Sequence, residues 1–141
     1  MKVMQRIILS AALTCLPFAA SAQGKPAHQD ALLYFVWPQN GATIKGGFWC
    51  RFGLRNMGVT HAGDNYQNSG HHHLLIDVKE LPPGDAPIPN DATHKHYGKG
   101  QTEDTIHLEP GTHTLQLDFA DARHVQFDPP IVSPKITIHV K

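Results

Sequence analysis

Residues 70–77 join three consecutive histidines to an apolar, β-prone run, in the order Gly70-His71-His72-His73-Leu74-Leu75-Ile76-Asp77. Successive side chains of a β-strand point to opposite faces. A strand at this position therefore places His71 and His73 on one face and His72 on the other. Strand residues two apart have Cα atoms roughly 6.5–7 Å apart, a spacing at which two imidazoles reach one metal ion. The chain has 11 His against three Tyr and three Met, an excess that indicates metal binding or proton chemistry.

Short apolar segments separated by turn residues predict an all-β fold for the rest of the chain. We expect strands at 32–36, 47–55, 71–78, 104–108, 112–119 and 135–140. Residues 112–119 alternate, and their apolar face, with Leu115, Leu117 and Phe119, is predicted to lie in the core. Residues 80–103 are expected to form a long connection without regular structure, a type of segment that is often functional. Six short strands of this kind are typical of an immunoglobulin-like antiparallel β-sandwich.

The first 22 residues have the features of a secretory signal peptide. Lys2 and Arg6 precede an apolar run at 7–16, and Ala20-Ser21-Ala22 forms a small-residue cleavage site. The run is too short to span a bilayer, and the sequence offers no second apolar segment that would anchor the chain. We therefore expect a periplasmic protein that begins at Gln23 after cleavage, with a mobile leader at 23–30 and one β-sandwich domain at 31–141.

Charge and sulfur content narrow the class of partner and of metal. Two of the 12 Lys and Arg residues lie in the signal peptide, which leaves 10 basic against 12 acidic side chains, so no nucleic-acid partner is expected. Cys50 is the one cysteine after residue 22, and its alternation with Phe48 and Phe52 predicts a buried thiol. With Met57 as the one remaining methionine, the composition argues against a sulfur-rich Cu(I) site and favours Cu(II), Zn(II) or Ni(II).

Three groups of histidines are candidates for a metal site. In an immunoglobulin-like sandwich the third and the penultimate strands are antiparallel neighbours. If the strands at 71–78 and 112–119 take those places, the start of one lies beside the end of the other. The loop that carries His124 then reaches His71 and His73 at one rim of the sandwich. We predict that His71, His73 and His124 bind copper or zinc, with His94 or His96 as the candidate fourth ligand.

Several longer motifs of the chain are characteristic when taken together. They are Phe48-Trp49-Cys50-Arg51-Phe52-Gly53-Leu54-Arg55-Asn56-Met57-Gly58-Val59, the histidine run at 70–77, Ile88-Pro89-Asn90-Asp91, His94-Lys95-His96-Tyr97-Gly98-Lys99-Gly100-Gln101-Thr102-Glu103 and Pro110-Gly111-Thr112-His113-Thr114-Leu115-Gln116-Leu117. This combination resembles the bacterial family catalogued as domain of unknown function 4399, over about residues 32–140. The resemblance implies a small exported bacterial protein and supplies no established activity.

Three functions are compatible with these observations. The first is a periplasmic β-sandwich that binds a transition metal for storage, delivery or stabilisation. The second is a non-catalytic cell-envelope interaction module, with an envelope protein as partner and with histidines that serve structure or pH sensing. The third is a metal-dependent enzyme. The sequence has no His-Glu-x-x-His, no Gly-x-Ser-x-Gly and no phosphate-binding loop, so we expect binding rather than catalysis.

Overall fold

A computed structural model describes residues 23–141 of the chain, so the signal peptide expected at 1–22 and its cleavage site lie outside the described residues. The described part consists of strands and loops, and it holds no helix long and apolar enough to cross a membrane. Its ten strands are β1 (Leu32–Trp37), β2 (Thr43–Ile44), β3 (Phe48–Arg55), β4 (Gly58–Val59), β5 (Ser69–Ile76), β6 (His94–Tyr97), β7 (Glu103–Ile106), β8 (Gly111–Ala120), β9 (Gln126–Val132) and β10 (Ile136–Val140). The prediction of an all-β fold is confirmed.

The strands form two sheets in which most neighbours are antiparallel. The small sheet has the order β1-β3-β7, and the large sheet has the order β2-β10-β8-β5-β4, with β6 paired to β5 and β9 paired to β8. Strands β5 and β8 lie side by side and antiparallel, from His71 opposite Ala120 to Ile76 opposite Leu115. The expected pairing of these two strands is therefore confirmed, and it brings the start of β5 next to the end of β8.

The hydrophobic core lies between the two sheets. Leu115, Leu117 and Phe119 of β8 are fully buried, as their alternation predicts, and they belong to one cluster with Cys50 and Phe52 of β3. Burial raises the pKa of the Cys50 thiol to about 12. Because the thiolate is the form that binds metals and attacks disulfides, Cys50 behaves here as a small apolar side chain.

Strand β5 is buried along its whole length, on both faces. Its inner face, with Leu74 and Ile76, packs into the core. Its outer face is covered by the connection that follows β5. There Ile88 is buried and donates its backbone N–H to the carbonyl of His124 at 2.8 Å. The three consecutive histidines are therefore interior side chains, whichever face they occupy.

Four strands were not predicted from the sequence, namely the two-residue strands β2 and β4 and the longer strands β6 and β9. Strand β6 interrupts the connection at 80–103, which was predicted to lack regular structure, and it pairs with β5 from His72 opposite Tyr97 to Leu75 opposite His94. Its sequence has no apolar alternation, so the pairing depends on the edge that β5 offers. Strand β9 contains Pro129 and Pro130, which disfavour strand interiors because they lack an N–H. The ladder with β8 tolerates them because it is irregular there.

The leader segment lies against β9. Pro26 pairs with Asp128 in a parallel bridge, and Ala27 donates its N–H to the carbonyl of Asp128 at 3.0 Å. The N–H of Asp128 in turn donates to the carbonyl of Lys25 at 2.8 Å. The segment is thus held to the large sheet by backbone hydrogen bonds, and its mobility remains a prediction.

Candidate metal centre

Strand alternation divides the three consecutive histidines between two environments. The ring of His72 faces the core, with its centroid 5.2 Å from that of Phe52 and 5.1 Å from that of Phe119. His71 and His73 project from the opposite face of β5. His96 of β6 lies directly across from His73 in the ladder, so its side chain is on that same face.

The fourth histidine of the group comes from the turn between β8 and β9. The backbone of His124 adopts a left-handed conformation with φ of 65°, which is uncommon for residues other than glycine, although histidine, asparagine and aspartate adopt it more often than most. Asp121 stabilises this turn, since its Oδ1 accepts hydrogen bonds from the N–H groups of Arg123 and Val125 at 2.8 and 3.1 Å. Strained backbone of this kind is concentrated at functional sites. The turn places the His124 imidazole against His71 of β5.

The four imidazoles of His71, His73, His96 and His124 form a compact cluster. One ring nitrogen of each residue lies within 4.8 Å of the corresponding nitrogens of all the others. Nε2 of His71 and Nδ1 of His124 are 3.1 Å apart and share a hydrogen bond. Tetrahedral coordination with Zn–N bonds of about 2.0–2.1 Å separates ligand nitrogens by roughly 3.4 Å. The cluster is therefore close to the size of a metal site and needs a small contraction to reach it.

The ring nitrogens of the cluster have few protein partners. Nδ1 of His71, both ring nitrogens of His73 and Nε2 of His96 are buried and have no hydrogen-bond partner within residues 23–141. A buried polar atom left unpaired costs about 1–3 kcal/mol, and native proteins pair nearly all such atoms. Coordination to an ion satisfies nitrogen lone pairs that the protein leaves free.

The environment of the cluster favours the neutral form of the imidazoles of His71, His73 and His96. Burial, with a further contribution from neighbouring histidines, lowers the pKa of His71 to about 4 and that of His73 to about 2. Burial also lowers the pKa of His96, and the proximity of His124 adds to that effect. Because a metal binds the neutral form of imidazole, these residues do not have to lose a charge-bearing proton near pH 7 in order to coordinate.

His94, the alternative fourth ligand, lies outside this cluster. Its Nδ1 is 2.9 Å from Oδ1 of Asp91, and its backbone N–H donates to the same oxygen. His94 and His96 are two residues apart on β6, yet the turn at Asp91 holds the His94 ring away from the other imidazoles. The structure thus brings together four of the five predicted site residues.

The burial of Asp118, an acid on the same face as the cluster, was not predicted from the sequence. Asp118 of β8 is directly opposite His73 in the ladder and has no exposed surface. Its Oδ2 accepts a hydrogen bond from Nε2 of Gln126, and its Oδ1 has no partner within residues 23–141. Burial raises the pKa of Asp118 to about 7. Local alternation identifies this face of β8 as polar, but nothing in the local sequence shows that the face is covered.

A pocket of about 310 Å³ opens onto the cluster. Three ligand candidates line it, namely His73, His96 and His124, and the other lining residues are Pro87, Ile88 and Asn90. The segment at 87–90 is held over the site by a backbone bridge between Pro87 and Val125 as well as by the hydrogen bond from Ile88 to His124. The connection after β5 therefore forms one wall of the candidate site.

Comparison with known proteins places the chain in a family but assigns no activity to it. No curated protein and no solved structure is significantly similar to the chain. The profile of the family described as domain of unknown function (DUF4399) matches residues 50–141, a range that includes all four clustered histidines. The resemblance inferred from the sequence motifs is therefore confirmed, and the chain belongs to the DUF4399 family.

Proposed function

We propose that this protein binds one transition-metal ion, Cu(II) or Zn(II), through His71, His73, His96 and His124, for storage, delivery or stabilisation. The observation that carries the proposal is the convergence of four imidazole nitrogens within 4.8 Å of one another. Imidazole nitrogen is a preferred ligand of both ions. The four rings come from two strands and a turn, so the arrangement depends on the fold and not on a flexible histidine-rich segment.

The other features of the site support the same proposal. The rings of His71 and His73 are buried and neutral, and several of their nitrogens are unpaired. The thiol of Cys50 does not reach the site, because Cys50 lies in the core. The core packs against one face of β5, and the four imidazoles lie on the other face. A nitrogen-only ligand set agrees with Cu(II) or Zn(II) better than with Cu(I), which favours thiolate and thioether ligands.

Metal titration of the mature, tag-free protein tests the proposal. We expect binding of one equivalent of Cu(II) or Zn(II) by calorimetry and a rise in melting temperature, because the ion binds the folded state preferentially. Replacement of His96 by Ala is expected to weaken binding by at least about tenfold, since even groups that only orient a ligand contribute roughly 10–100-fold. Replacement of His94 by Ala is the matched control on the same strand and is expected to leave the affinity unchanged.

Two results contradict the proposal. One is the absence of binding tighter than millimolar for both metals. The other is equal affinity of the His94→Ala and His96→Ala variants, which means that the clustered ring is not a ligand. In either case the envelope interaction module is the interpretation that remains, and the buried histidines then serve the structure of the domain.

The compartment and the finer fold are part of the same proposal. The charged start, short apolar run and Ala20-Ser21-Ala22 site support export to the periplasm with cleavage after Ala22. The intact mass of the exported protein tests this, because retention of residues 1–22 contradicts it. Two sheets around one core and the β5–β8 pairing support an immunoglobulin-like sandwich, which the strand order in an experimental structure will test.

A further inference from the structure

The candidate metal centre is unequally covered by protein. His71 and His73 have 0% and 1% of their surface exposed, whereas His96 and His124 are only half-buried. The pocket of about 310 Å³ lies on the side of His73, His96 and His124. His71 forms the closed side of the cluster, and the open side faces the pocket.

The size of this pocket suits a small ligand. Pockets for drug-sized molecules span about 300–1,000 Å³, so this one is at the lower end of that range. A water molecule occupies about 30 Å³ of liquid volume, so the pocket has room for roughly ten waters or for one small anion with its hydration. Pro87 and Ile88 supply an apolar wall, and Asn90 adds an amide that is exposed to the solvent.

The charge of the site favours an anion. Four imidazole ligands do not compensate the two positive charges of a divalent ion, and no lining residue of the pocket is acidic. Asp118, buried opposite His73, supplies at most one negative charge, so at least one positive charge remains. The carboxylate of Asp121 is the buried acid nearest in sequence to His124, but it is already paired with the guanidinium of Arg123 at 2.9 Å. An anion that enters from the pocket therefore meets uncompensated positive charge.

We propose that the pocket admits a small anion as an additional ligand of the bound ion, so the centre is open and not sealed. This inference rests on the proposed metal binding. Four protein ligands fill a tetrahedral zinc site, so the anion is a fifth ligand, which a tetragonal Cu(II) ion accepts more readily than a structural zinc ion does. An open position is suited to delivery of the ion or to chemistry at the ion, and it argues against a purely structural role.

Azide titration of the Cu(II)-loaded mature protein tests the inference. Copper binding is measured first without azide. A protein that binds no copper contradicts the proposed function, whereas a copper-loaded protein that does not bind azide contradicts only this inference. We expect azide to produce an azide-to-copper charge-transfer band and a change in the electron paramagnetic resonance spectrum, with saturation at millimolar azide. Copper is expected to stay bound when the sample is filtered after the titration.

A pair of variants in the same connection tests the route of entry. Asn90→Trp places a large side chain at the pocket and is expected to weaken azide binding by roughly tenfold or more, without a change in copper affinity. Asp85→Trp adds the same bulk at an exposed position that does not line this pocket. It is expected to bind azide as the parent protein does.

Three results overturn the inference. A copper-loaded protein whose spectra do not respond to azide has a sealed centre. Release of copper by azide shows that the anion competes for the ion and does not join it. Equal azide affinity of the Asn90→Trp and Asp85→Trp variants shows that the pocket is not the route to the ion.

Discussion

Replacement of His72 by leucine is expected to stabilise the protein. His72 has no exposed surface, and its ring lies between Phe52 and Phe119 in the core. Neither ring nitrogen has a hydrogen-bond partner within residues 23–141. Burial lowers the pKa of His72 to about 4, so at pH 7 the ring is neutral and holds one unpaired donor and one unpaired acceptor.

The size of the gain follows from two opposing terms. Each unpaired buried group costs about 1–3 kcal/mol, so the two ring nitrogens together cost roughly 2–6 kcal/mol. Leucine removes both groups, but it also loses the two contacts with the phenylalanine rings, which are worth about 0.5–1.5 kcal/mol each. The mid-values of these two ranges, about 4 and about 2 kcal/mol, give an expected net gain of about 2 kcal/mol in the free energy of unfolding. At this chain length each kcal/mol raises the melting temperature by roughly 4 °C.

Urea denaturation of the metal-free protein at neutral pH measures this gain. The control is His107→Leu, since His107 is exposed and its replacement is expected to change stability by less than about 0.5 kcal/mol. The variant is also expected to retain metal binding, because the His72 ring points away from the four clustered imidazoles. A loss of stability of 1 kcal/mol or more in His72→Leu refutes the reasoning, since it requires that the histidine ring has a favourable partner in the core.

Three further predictions concern the core, the thiol and the opposite end of β5. Leu117 has no exposed surface, so Leu117→Ala is expected to lower the free energy of unfolding by about 2–5 kcal/mol, as measured by chemical denaturation. A loss below about 1 kcal/mol contradicts the placement of Leu117 in the core. Cys50 is expected to react with a thiol reagent only after unfolding, because its pKa is raised to about 12 by burial, and rapid labelling of the native protein contradicts this. The hydrogen bond from His113 to Asp77, at 2.7 Å, raises the pKa of His113. The protonated ring therefore stabilises the folded protein fully below about pH 6.5, and this stabilisation is lost as the pH rises through the pKa of the folded state. His113→Gln is therefore expected to lower the free energy of unfolding more at about pH 5.5 than at about pH 9. The difference is at most about 1 kcal/mol, because solvent screens the half-exposed Asp77. An equal loss at both pH values contradicts the assignment.

Strand positions with strong local patterns were predictable from the sequence. The alternation of Leu115, Leu117 and Phe119 identified β8 and its buried face, and Cys50 between two phenylalanines identified the inner face of β3. Where the local pattern is weak, prediction failed. Strand β6 has no apolar alternation and forms because β5 offers it an open edge, and β9 carries two prolines that the irregular ladder accommodates.

The candidate site was predictable only in part, and His94 and His96 show the reason. Both stand two residues apart in a polar segment, and no local pattern distinguishes them. The side chain of Asp91 holds the His94 ring, whereas the ladder places His96 across from His73. Asp118 is a similar case, since its burial beside His73 depends on the covering of a face that the local pattern identifies only as polar.

The sequence by itself determined the all-β character of the described chain, its core-facing positions, its family and the division of the histidine run between two faces. These properties follow from the period of two in a strand and from apolar alternation, which are local. Only the tertiary structure decided which histidines meet. His71, His73, His96 and His124 are separated by as many as 53 residues and converge because β6 and β8 flank β5 and the turn at Asp121 directs the last ring inward. This convergence depends on long-range strand pairing and on burial, and the spacing of neighbouring residues predicts neither.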